Sequence, residues 1–197
     1  DSYKNASLFG FHTGADVFSA NSLYSRENQF SLDSSEEKLQ GRRVLYVHTL
    51  DTINPEFSTL YKKQKKGDKL LFAHVEENFE SYRKAKIYFK PDFLDLSQPK
   101  HYFTITVYNP YKRDIHVQKS DFVGVFLNER SRVLSEFKPY FTNDFPENVT
   151  LKPGERLVFN GKVTLKAAFP SEARFLTFTF AENGLLPGYQ GSLIPIQ

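Results

Sequence analysis

Between Phe103 and Phe180 the chain repeatedly alternates apolar with polar residues, and this pattern limits the possible folds more than any other feature. The runs are Phe103-Thr104-Ile105-Thr106-Val107-Tyr108, Val123-Gly124-Val125-Phe126-Leu127, Arg156-Leu157-Val158-Phe159 and Phe175-Leu176-Thr177-Phe178-Thr179-Phe180. Asn109-Pro110, Lys152-Pro153-Gly154-Glu155 and Asn160-Gly161 punctuate them as turn signals. A period of two places alternate side chains on opposite faces of a sheet, so one face is buried and the other meets solvent. The pattern predicts a mainly β fold: an antiparallel β-sandwich over residues 100–197, preceded by a mixed portion over residues 1–99.

Composition narrows the possible chemistry. The 197 residues include no Cys, which excludes disulfides, thiolate nucleophiles and Cys-ligated metal or iron–sulfur centres. The absence of Met and the start at Asp1 lead to the expectation of an exported, processed chain, with any signal peptide or lipid anchor lying upstream. Localisation is therefore expected to be extracytoplasmic: periplasmic, cell-surface or secreted. Twenty Phe and eleven Tyr supply a large apolar payload for the core. A net charge of +3 is too small to predict a nucleic-acid partner, which requires a dense local basic stripe. No apolar run reaches the ~20 residues of a membrane-spanning helix.

The first hundred residues are less regular. Residues 1–7 read as a mobile leader, Asn28 to Asp33 as a short strand, and Ser34 to Glu37 as a loop or helix start. Arg43 to Leu50, rich in β-branched and aromatic residues, reads as a strand. A helix is predicted over Asn54–Lys66: Asn54 as cap, Pro55 at the first helical position, Phe57, Leu60 and Tyr61 as an apolar stripe, and Gly67 as the stop. Leu70 to Tyr82 fits either a helical face or a buried strand. Lys86 to Phe89 returns to strand character, and Pro99 marks the expected boundary between the two portions.

Asn109-Pro110 at a strand end, Ile115-His116-Val117, Asp121 to Val125, Leu151-Lys152-Pro153-Gly154-Glu155 and Phe169-Pro170-Ser171-Glu172-Ala173 follow one another in a familiar order. This order resembles the immunoglobulin-like domains of bacterial secreted proteins and lipoproteins, over residues 100–182. The resemblance implies an extracytoplasmic binding or adaptor role and supplies no catalytic motif to transfer.

Direct searches for chemistry yield little. His12, His48, His74, His101 and His116 have no metal-ligand spacing. A hairpin centred near Tyr111-Lys112 would set His116 opposite Val107 and leave His101 about 20 Å away along the strand. No nucleophile elbow, phosphate loop, dinucleotide fingerprint or metalloprotease helix occurs. Lys62-Lys63-Gln64-Lys65-Lys66 is the one dense basic run, and it suits a helix C-terminus as well as it suits an anionic surface. The loop tip Tyr108, Tyr111, Lys112 and Arg113 combines residue types favoured at binding hot spots. The sequence thus leads to the expectation of a non-enzymatic protein without cofactor or metal. Its expected partner is a protein or a cell-envelope component, bound through sandwich loops or edges, and not nucleic acid; contact with a membrane would come only through an upstream anchor. The alternative is a small-ligand-binding protein or hydrolase with a cleft between the two portions, lined by Tyr46, Tyr88 and Tyr102.

Overall fold

The computed structural model describes residues 3–20, 22–24, 30, 34–48, 59–62, 70–95, 100–141, 146–164, 170–182 and 186–197. They form a mainly β, antiparallel protein with two short helices and thirteen strands among the described residues. The chain divides into two compact units, residues 1–21 with 25–81 and residues 22–24 with 82–197.

The first unit holds helix α1 (Tyr3–Thr13), helix α2 (Ser35–Leu39) and strands β1 (Val44–His48), β2 (Thr59–Lys62) and β3 (Leu70–Glu76). α1 replaces the expected mobile leader, and it ends at Gly14, whose φ of +69° suits a residue without Cβ. The Gly14 N–H donates to the Gly10 carbonyl at 2.8 Å. β3 lies between β1 and β2. This resolves the ambiguous stretch after Leu70 as a strand and corrects the predicted helix over Asn54–Lys66. Residues 59–62 pair with β3, Thr59 opposite Ala73 and Lys62 opposite Leu70. Local helix cues lose here because the long-range ladder to β3 satisfies the backbone of Thr59, Leu60 and Tyr61, which are themselves good strand formers. The remainder of that expected helix lies outside the described residues, as does nearly all of the strand expected at Asn28 to Asp33.

The second unit contains two facing four-stranded sheets. One has the order β4 (Lys86–Lys90), β5 (Lys100–Tyr108), β11 (Arg156–Thr164), β9 (Tyr140–Phe141). The other has the order β13 (Ile194–Pro195), β12 (Phe175–Phe180), β7 (Phe122–Leu127), β8 (Val133–Phe137). A two-stranded ladder joins β6 (Ile115–Gln118) and β10 (Asn148–Leu151). Ile87, Phe89, Phe103, Ile105, Val107 and Phe159 from the first sheet meet Phe122, Phe126, Leu176, Phe178 and Phe180 from the second in one buried cluster. Phe122 lies edge-on to Phe141, Phe159 and Phe180, with ring centroids 5.1–5.6 Å apart. Each such ring removes about 1.5–3 kcal/mol worth of apolar surface from water.

The predicted strand runs form strands, but some of their connections differ from expectation. β4 belongs to the sheet of β5 and to the compact unit that takes residues 22–24 and 82–197. β5 and β6 make no hairpin: β5 pairs with β4 and β11, whereas β6 pairs with β10, which sets His116 opposite Thr150. Asn160-Gly161 is not a turn but the middle of β11. Glycine stands there because the Phe103 ring fills the space a Cβ would need. The C-terminal segment spans the two sheets. Ile194 and Pro195 pair with β12, while the Leu94 N–H donates to the Pro195 carbonyl and the Ile87 N–H to the Gln190 carbonyl, both at 2.9 Å. The Ile87 bond, together with the Ser192 N–H donating to the Ile87 carbonyl at 3.3 Å, covers the outer edge of β4 at that residue.

Candidate functional site

The predicted loop tip is mainly a structural corner. Asn109, fully buried, accepts from the Tyr111 N–H through Oδ1 at 2.9 Å and donates through Nδ2 to the carbonyls of Arg113 and Leu151, each at 2.9 Å. Its backbone bonds to Glu155 and Gly154, so the Asn-Pro and Pro-Gly-Glu motifs interlock. Gly154 has a φ of +75°, which only a glycine adopts readily. Tyr111 is 7% exposed and packs in the core, where its hydroxyl accepts from the Lys84 N–H at 2.7 Å. Arg113 lies over the Tyr111 ring at 4.6 Å and donates to the Asp114 carbonyl. Burial therefore makes Tyr111 a packing residue. Lys112 is exposed beside it, and Tyr108 belongs to a different surface.

That surface is the outer face of the β4-β5-β11-β9 sheet. Since Ile87, Phe89, Phe103, Ile105, Val107 and Phe159 point into the core, the intervening residues of the same strands point outward. Pairing arranges them in rows. Lys86, Tyr108 and Arg156 form the first, Tyr88, Thr106 and Val158 the second, and Lys90, Thr104 and Asn160 the third. Tyr102, Lys162 and Tyr140 follow, and Lys100 opposite Thr164 ends the ladder. Five of these fourteen register positions are basic, four are tyrosine and none is acidic.

Tyr102 is 68% exposed, Tyr140 71% and Tyr88 49%. Three exposed tyrosine rings thus share one face of this sheet. Arg156 stands over the Tyr108 ring at 5.5 Å, and Thr104 donates to Asn160 Oδ1 at 2.8 Å. Lys86, Lys90 and Arg156 are exposed, so the cations remain hydrated and available to a soluble anion. Of the cleft tyrosines expected from sequence, Tyr88 and Tyr102 share this face. Tyr46 lies in the other unit, stacked on His74 with ring centroids 4.7 Å apart.

Buried polar groups in the same unit are tied to one another. Glu182 accepts from the Tyr82 N–H and from Gln190 Nε2, each at 3.1 Å. The Thr179 hydroxyl sits 2.5 Å from Gln190 Oε1 and 2.9 Å from the Gly188 carbonyl. The Tyr82 hydroxyl donates to Asp121 at 2.8 Å. Burial pushes the Tyr82 phenol far above its ordinary value, helped by the charges of Glu182 and Asp121. Burial also raises the Asp121 carboxyl, against the opposing hydrogen bond from Tyr82. These bonds tie the C-terminal segment to β12, although the Thr177 hydroxyl on that strand is buried without a hydrogen-bond partner among the described residues. Among the described residues no group of three His, Cys, Asp or Glu side chains gathers in metal-binding geometry. His101 is buried on the inner side of β5 and His116 is exposed on β6.

No family model and no curated protein matches this chain. Among solved structures, similarity is found to the Pseudomonas fluorescens alkylpurine DNA glycosylase AlkC bound to DNA containing an abasic site analog. The identity is 11% and the TM-score 0.33, over 58% of this chain; the chain spans 30% of that protein's length. The C-terminal domain of wzt is similar at 13% identity and a TM-score of 0.30, over 76% of this chain and 83% of that one. At these scores neither likeness carries an argument about fold or function.

Proposed function

We propose that this protein is a non-enzymatic, extracytoplasmic binding module that holds an extended component of the cell envelope on the outer face of the β4-β5-β11-β9 sheet. The observation behind this reading is the register of that face, where exposed tyrosines alternate with cations and no carboxylate intervenes. A flat sheet face offers contact area without enclosing its ligand, which suits a long chain better than a small substrate. The pair of facing antiparallel sheets, with a C-terminal strand reaching both, supports an immunoglobulin-like sandwich as the scaffold.

Co-sedimentation with cell-envelope fragments of the source organism tests the reading. The native protein is expected in the pellet, and a Tyr102→Ala/Tyr140→Ala variant is expected in the supernatant with an unchanged melting temperature. Equal pelleting of the two proteins would overturn the assignment of this face.

A further inference from the structure

We infer that the chain held on this face is an acidic polysaccharide, an inference that rests on the binding role proposed for the β4-β5-β11-β9 sheet. Three features of the face select that chemistry.

The first is charge. Lys86, Lys90 and Arg156 are exposed, and Lys100 and Lys162 occupy register positions on the same face. The three exposed cations alone, Lys86, Lys90 and Arg156, match the net charge of the entire chain, +3. No Asp or Glu occupies any of the fourteen paired positions, so these cations have no acidic neighbour within the described register, while the molecule as a whole is nearly neutral. A neutral glycan would leave this concentration of cations unused.

The second feature is the spacing of the rings. Tyr88 and Tyr102 stand four residues apart in register, about 13 Å along the strands, and Tyr102 and Tyr140 stand two strands apart, about 10 Å. Tyr108 is already partnered on its ring by Arg156. Single-stranded nucleic acid is held by successive bases stacking on neighbouring aromatic platforms along a basic track. Here the free rings are isolated from one another, so they suit intermittent contact with the C–H faces of sugar rings.

The third feature is what separates the rings. Thr104, Thr106 and Asn160 fill the intervening rows with hydroxyl and amide groups, of which the Thr104 hydroxyl is already donating to Asn160 Oδ1 at 2.8 Å. Such groups both donate and accept, which matches the hydroxyls of a sugar chain. Carboxylates along that chain would meet Lys86, Lys90 and Arg156.

The test measures fluorescence anisotropy of labelled polygalacturonate, with dextran and a single-stranded oligothymidylate as competitors. Tight binding of polygalacturonate is expected, weakening about tenfold or more between about 50 and 500 mM salt as screening shortens the reach of the cations. Neither competitor should displace it at equal mass. Lys86→Ala/Lys90→Ala/Arg156→Ala should weaken binding about tenfold, and Tyr102→Ala/Tyr140→Ala by a similar factor with the salt dependence kept. Displacement by dextran, or binding insensitive to salt, would overturn the acidic character of the ligand. Preferential binding of the oligothymidylate would overturn the polysaccharide. If polygalacturonate fails to bind while the tyrosine variant still loses envelope pelleting, the inference falls and the binding face stands. If the variant pellets like the native protein, the face itself falls.

Discussion

Asn109, fully buried, and Asp121, half-buried, show how single polar groups shape this protein. Every side-chain polar atom of Asn109 is engaged, and its partners belong to two separate chain segments. Asn109→Ala removes these bonds and leaves the Arg113 and Leu151 carbonyls and the Tyr111 N–H without their partner. A loss of about 3 kcal/mol is expected, measured by urea denaturation; a loss below about 1 kcal/mol would contradict the corner's role. Asp121 makes stability depend on pH. Because burial raises its carboxyl in the folded state, the folded protein keeps a proton that the unfolded chain has already released. Stability from this group is therefore intact below the ordinary carboxylate range and falls as pH rises through it towards the raised value. Asp121→Asn should flatten that decline. Parallel stability–pH curves for the two proteins would show that Asp121 titrates normally.

Elements here are decided by pairing as much as by local preference. Asn160-Gly161 carries a strong turn signal, yet it lies mid-strand because β11 pairs with β5 over nine residues and Phe103 needs the space above Gly161. Gly161→Ala would force that ring from its place among Phe89 and Phe178, at an expected cost of about 2 kcal/mol. Chemical denaturation measures it, and an unchanged midpoint would mean that the ring relaxes freely. The same competition explains Thr59–Lys62. Cap, dipole and apolar stripe there all favour helix, but an available edge on β3 makes those residues a strand. Lys86–Lys90 was legible because its own alternation already specified which side is buried. Phe175–Phe180, equally legible as a strand, is buried on both faces, which its Thr177 and Thr179 do not announce.

Across the whole molecule, net charge is a poor guide to what the surface attracts. A total of +3 argues against a polyanion only if the charges are evenly spread, and the outer sheet face collects cations while excluding acids. Two variants with the same change in total charge separate the effects. Lys86→Glu/Lys90→Glu should abolish polygalacturonate binding, whereas Lys112→Glu/Lys152→Glu, on the exposed loops, should change it by less than about twofold. Equal losses in the two would mean that long-range attraction to the whole molecule is responsible, and not this face.

The sequence by itself determined the mainly β class, most of the strands and the tight Pro-Gly-Glu turn, because alternation and turn chemistry act over a few neighbouring residues. The burial of both faces of Phe122–Leu127 and Phe175–Phe180 was not among its expectations. It also marked Tyr108, Tyr111, Lys112 and Arg113 as one loop without showing that Tyr111 is buried. Only the tertiary structure decided the candidate site. Tyr88, Tyr102 and Tyr140 lie in three separate parts of the chain, and pairing register brings them to one face with Lys86, Lys90 and Arg156. Register follows from long-range packing of the inner face, so the outer face it assembles is not readable in any local stretch of residues.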